Sequence, residues 1–131
     1  MTTSSTSKKI ILSVSILVGV FLTSIALGQG NISNLSVEEL IAQSTGLARY
    51  GFRDSSEILV RQALLKSAPG KTKVQALIGM GEHHLLFFEH DSALVYAQQA
   101  LDMAETERLK VEKVKALLLN GMVNLRKLDI A

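Results

Sequence analysis

Asp54-Ser55-Ser56-Glu57-Ile58-Leu59-Val60-Arg61-Gln62-Ala63-Leu64 returns, half-repeated, as Asp91-Ser92-Ala93-Leu94-Val95-Tyr96-Ala97-Gln98-Gln99-Ala100-Leu101, a spacing of 37 residues. Self-similarity at roughly 20–50 residues marks chains built from stacked supersecondary units, each burying its apolar face on the next. Such chains offer a surface to a partner and seldom carry out chemistry.

Working outward from the repeated phrase, helix signals recur. Ser36 and Glu39 form a capping-box pattern with Leu35 and Leu40 as a staple, opening a helix that runs to about Tyr50. Gly51-Phe52-Arg53 turns the chain, Asp54 and Glu57 form a second capping-box pattern, and Pro69-Gly70 stops the helix that ends at Ser67. Thr72 is placed to cap a third helix, Lys73 to Phe88. Glu89-His90-Asp91 turns, and Ser92 to about Glu105 makes a fourth. A fifth is expected from Thr106 or Glu107 to Lys127, rich in Leu, Lys and Val and interrupted only by Gly121. No run alternates with period two, so the expected class is all-α, with short connections making neighbouring helices antiparallel.

The N-terminus reads as an address. Lys8 and Lys9 precede an uncharged apolar run, Ile10 to Leu27, that ends in Ala26-Leu27-Gly28. That pattern predicts a signal peptide over 1–28, cleaved before Gln29, with an uncleaved anchor as the alternative, since the run approaches the length of a membrane span. Residues 29–35 then form a short linker. In both readings the remainder is exported: periplasmic or secreted, or anchored and facing the periplasm. The chain has 14 Lys and Arg against 12 Asp and Glu, and the surplus is Lys8 and Lys9 alone. The part beyond the leader is therefore balanced, which gives a nucleic-acid partner no support. Cysteine is absent, so no disulfide and no lipid attachment at cysteine is expected.

Leu77, Met80, Gly81 and His84 fit the large, large, small, aromatic pattern of a first repeat helix, and Ala93 and Ala100 fit the small positions of a second. Ser44, Ser56 and Ala63 recur at the same spacings. The domain 36–131 thus resembles the tetratricopeptide repeat family, with repeats at about 37–70 and 74–107 and a partial repeat or capping helix at about 108–131. Its small residues are expected where helix backbones approach closely, Gly81 facing Ala93 and Ala100, and Ser44 facing Ser56 and Ala63. Gly121 keeps the position in the last unit, and Asp129 falls where the family turns between helices. Asn120 and Asn124 are expected on the side where a following helix would pack, which suits a polar cap. The step of 40 from Gly81 to Gly121 is similar to the stretched repeats of bacterial signalling proteins.

The resemblance implies an α-solenoid of about five helices, a protein-binding module rather than an enzyme, with no cofactor. Its first helices would line a concave face holding Glu38, Ile41, Thr45, Ala48 and Arg49, then Gln75, Ile78, Glu82, Leu85 and Leu86, then Lys115, Leu118, Met122 and Leu125. An apolar patch of Ile41, Ile78, Leu85 and Leu118, rimmed by Glu38, Glu82 and Lys115, would suit a protein or peptide. The alternative is the periplasmic sensor portion of a larger signalling protein, a histidine kinase or transcriptional regulator. The membrane enters only through the N-terminal segment, if it is uncleaved.

Other constellations are weaker. His83, His84 and His90 lack the i, i+4 spacing of a helical zinc motif, so no metal site is expected, and His84 is assigned to the aromatic place of the repeat. Gly79-Met80-Gly81 follows no strand and is no phosphate loop. No nucleophile elbow is present.

Overall fold

The computed structural model describes residues 32–130, with side chains to 129. The expected leader, its cleavage point and the residue after it lie outside the described residues. The chain divides into Met1–Leu35, of which the described part is one 3-10 turn at Ile32–Asn34, and Ser36–Ala131.

The larger unit is all-α. Its helices are α1 (Val37–Arg49), α2 (Arg53–Lys66), α3 (Lys71–Leu86), α4 (His90–Thr106) and α5 (Lys110–Ile130), and no strand occurs among the described residues. The first capping box forms as expected. Ser36 Oγ accepts from Glu39 N at 3.1 Å, and Glu39 Oε2 accepts from Ser36 N at 2.7 Å. These bonds also hold the Glu39 carboxyl below its ordinary range.

The second capping box does not form. Helix α2 begins two residues early, with Phe52 at the cap and no side-chain cap bond, and Glu57 instead accepts from Arg61 Nη2 at 2.6 Å. Thr72 likewise is no cap. Gly70 opens α3 with φ 110°, which only glycine adopts freely, and the Thr72 hydroxyl donates back to Ala68 O at 3.1 Å.

Three connections share one geometry. Phe52 N bonds to Leu47 O, Glu89 N to His84 O and Leu109 N to Ala104 O, at 2.8 to 3.0 Å, each spanning five residues. Before each donor sits a residue at positive φ: Gly51, Phe88 and Arg108. This is the Schellman ending, in which a left-handed residue lets the next N–H reach the last open carbonyl. Only the first uses glycine, so α4 and α5 start at His90 and Lys110 rather than at Ser92 and Thr106 or Glu107. Helix α5 also continues through Asp129, where a turn was expected.

Each helix packs on its successor, and α1, α3 and α5 also meet in series. With connections of three or four residues, consecutive helices run antiparallel. Helix α3 lies at the centre, with every residue from Ala76 to Gly81 buried. Its two inner glycines face opposite ways. A Cβ on Gly79 would meet Ile41 and Val60 side chains at 3.3 Å, while one on Gly81 would meet Leu119 Cδ2 at 2.6 Å and Ala93 O at 3.4 Å. Helix α4 buries only alanines, Ala93, Ala97, Ala100 and Ala104, which brings its backbone close to its neighbours. Gly81 therefore faces Ala93 and, a turn further on, Ala97. Ser44 does face Ser56, its hydroxyl donating to Ser56 O at 2.7 Å.

Candidate functional site

Helices α1, α3 and α5 each contribute one stripe to a shared groove of about 420 Å³. The stripes have the same spacing. Helix α3 supplies Gln75, Ile78, Gly79 and Glu82; α5 supplies Lys115, Leu118, Leu119 and Met122; α1 supplies Glu38, Ile41 and Ala42. Positions i, i+3, i+4 and i+7 lie on one helical face, so α1, α3 and α5, packed in series, place their stripes side by side. Gly79 lets Ile41 close over the floor.

Eight of the expected concave-face residues meet here: Glu38, Ile41, Gln75, Ile78, Glu82, Lys115, Leu118 and Met122. The others do not line the groove. The Thr45 hydroxyl turns back to Ile41 O at 3.0 Å. Arg49 stands exposed at the end of α1 and reaches the site only through its charge on Glu82. Leu85 is 5% exposed and belongs to the core, so its place in the apolar patch is corrected. Ile78 is the floor rather than a rim, at 8% exposure, because α3 is packed on almost every side. Ala48 is buried too, and Leu125 is exposed away from the groove.

Two polar groups of the groove are poorly solvated. Burial pushes the Glu82 carboxyl above its ordinary range, and the Arg49 and Lys115 charges pull it back in part. Gln75 Oε1 is a buried acceptor with no hydrogen-bond partner among the described residues. A buried acceptor without a donor is costly, and a bound N–H would satisfy it. Exposed Leu118 and half-exposed Met122 supply apolar contact beside these acceptors.

The histidines lie elsewhere and diverge. His83 is buried with Nδ1 2.8 Å from Ser56 Oγ. His84 stacks on Tyr96 with ring centroids 5.3 Å apart and planes within 5°. Its Nδ1 lies 2.6 Å from Glu89 Oε2, and Arg53 holds the other oxygen of that carboxylate. The hydrogen bond from His84, more than Arg53, keeps Glu89 below its ordinary range. Among the described residues no three His, Asp or Glu side chains converge as a metal site would require. Ser56 and His83 have the composition of a nucleophile and base, but both are shut off from solvent.

Comparison with protein-family models, characterised proteins and solved structures gives no match. The site must be read from its own geometry.

Sequence reasoning passed over Ala42, Gly79 and Leu119. The signal was available, because the i, i+3, i+4, i+7 stripe repeats in α3 and α5 with a residue of the floor at its third place.

Proposed function

We propose that 36–131 is a tetratricopeptide-like repeat module of an exported protein, and that it captures a peptide segment of a partner protein in the groove of α1, α3 and α5. The serial contact of α1, α3 and α5 and the three like turns support the repeat reading. One observation carries the binding reading: orphaned Gln75 Oε1 and desolvated Glu82 lie beside apolar Ile41, Leu118 and Met122. That pairing suits a segment with apolar side chains and available N–H donors, laid across the three helices. Export through the Lys8–Leu27 segment goes with this reading, as does the absence of catalysis.

The test uses the full chain in its own cells, with a photo-crosslinking residue at Leu118 or, as a control, at Arg61. Leu118 is 64% exposed, so the substitution leaves the core intact. The expected product is an adduct at Leu118 with a peptide of another protein, lost when Met122→Glu is added. An adduct at neither place, or equal adducts at both, would overturn the reading.

A further inference from the structure

Helix α5 has two apolar faces. Ala116, Leu119 and Val123 are buried in the core. On the opposite side Val114, Leu117, Gly121, Leu125 and Leu128 form a stripe about 21 Å long at 1.5 Å per residue. Its side chains are 65%, 48%, 64% and 71% exposed at Val114, Leu117, Leu125 and Leu128. Among the described residues a Cβ on Gly121 would meet nothing within 4 Å, whereas Gly81, at the matching place of α3, is closed over by Ala93 and Ala97 of α4. The expected polar outer face is not there. Asn120 turns toward α4, its Nδ2 3.4 Å from Gln98 Oε1, and Asn124 donates to Asn120 at 2.7 Å. Lys127 also reaches α4, bonding Asp91 Oδ1 at 2.7 Å. The described residues thus leave this stripe of leucine and valine uncovered.

We infer that a second copy of this chain covers the stripe, with the two α5 helices antiparallel across a twofold axis at Gly121. A twofold interface uses the same patch on both copies, so the patch must match its own reverse. This one does. With Gly121 on the axis, Val114 falls opposite Leu128 of the copy, and Leu117 opposite Leu125. The glycines lie where the backbones come closest, as Gly81 does within the unit. The charges agree with that register. Lys115 and Asp129 lie on one edge of the stripe, six residues before and eight after Gly121. The antiparallel copy therefore sets Asp129 beside Lys115 twice, within about 3 Å along the axis. A parallel copy has no such match. Among the described residues neither Lys115 nor Asp129 is in a salt bridge.

The absence of native cysteine makes the test clean. Gly121→Cys in the full chain puts one thiol on the axis, and copper-phenanthroline oxidation in cells expressing it should give a disulfide-linked dimer. Leu65→Cys, on an exposed site of α2, should give none. Asp129→Lys in the Gly121→Cys chain should remove the dimer, and adding Lys115→Asp should restore it. Gly121, Asp129 and Leu65 are exposed and do not line the groove, whereas Lys115 does and is changed only in the rescue. The inference is overturned by lack of a dimer at Gly121, by equal dimer at Leu65, or by a Gly121→Cys adduct with a different protein. It does not depend on the groove, whose crosslink at Leu118 reports another chain's peptide.

Discussion

Ser56 Oγ lies 2.8 Å from His83 Nδ1, and the bond is one link of a closed polar chain between α1, α2 and α3. Ser44 Oγ stands 3.1 Å from Ser56 Oγ and donates to Ser56 O. The consistent direction has Nδ1–H donating to Ser56, Ser56 to Ser44, and Ser44 to the carbonyl. That order leaves only the lone pair of His83 Nε2 unmet, an orphaned acceptor rather than an orphaned donor.

Protonation would add a charge and an unpaired N–H at that buried nitrogen. Burial, with a smaller push from His84, holds His83 below its ordinary pKa of 6.5, against the weaker opposite pull of Glu57 and Glu89. The unfolded chain then binds the proton first. Stability is fully present above pH 6.5 and falls as pH drops from there toward the lowered folded value. Thermal melting from about pH 7.5 to about pH 5 should show that decline. In His83→Leu the slope should flatten, although the variant is less stable throughout because Ser56 loses a partner. An unchanged slope would mean that another group governs this range.

Gly81 and Gly46 occupy helix interiors with opposite surroundings. A side chain at Gly81 collides with Leu119, which is 1% exposed and has nowhere to swing, while Gly46 has nothing within 4 Å. Gly81→Leu should cost about 1–3 kcal/mol or more through overpacking. Gly46→Ala should stabilise by about 0.5–1 kcal/mol, since alanine loses less backbone entropy in a helix. Denaturant unfolding measures both. A tolerated Gly81→Leu would show that α3 and α5 are not held at this distance.

What could be read from sequence follows from how locally each feature is encoded. The Ser36 and Glu39 cap needs only residues three apart, and it is present in the fold. The first turn carries glycine at its left-handed place. The other two carry Phe88 and Arg108, which send no turn signal, so the starts of α4 and α5 were misplaced. The groove stripe survived because its spacing repeats from helix to helix. Burial of Ile78 and Leu85 was not legible, since a helix enclosed on nearly all sides has no polar face to mark which residues point outward. The outer face of α5 was missed for a related reason: its second apolar stripe is indistinguishable in sequence from its core stripe until the neighbours are placed.

Glu82 joins the groove to stability. Burial raises its pKa above 4.5, so the folded state holds its proton where the unfolded state has released it. Its contribution is favourable at low pH and is lost as pH rises through that window, the reverse of His83. Glu82→Gln should therefore raise the melting temperature at pH 7 and leave it nearly unchanged at about pH 3, where the carboxyl is neutral in the folded and unfolded states alike. If the variant melts lower at pH 7, the attraction of Arg49 and Lys115 outweighs the burial cost, and Glu82 is a structural charge. If it melts higher, the carboxylate costs stability in the free protein. A ligand donor reaching it would then recover that loss on binding, and Glu82→Gln would weaken capture while strengthening the fold.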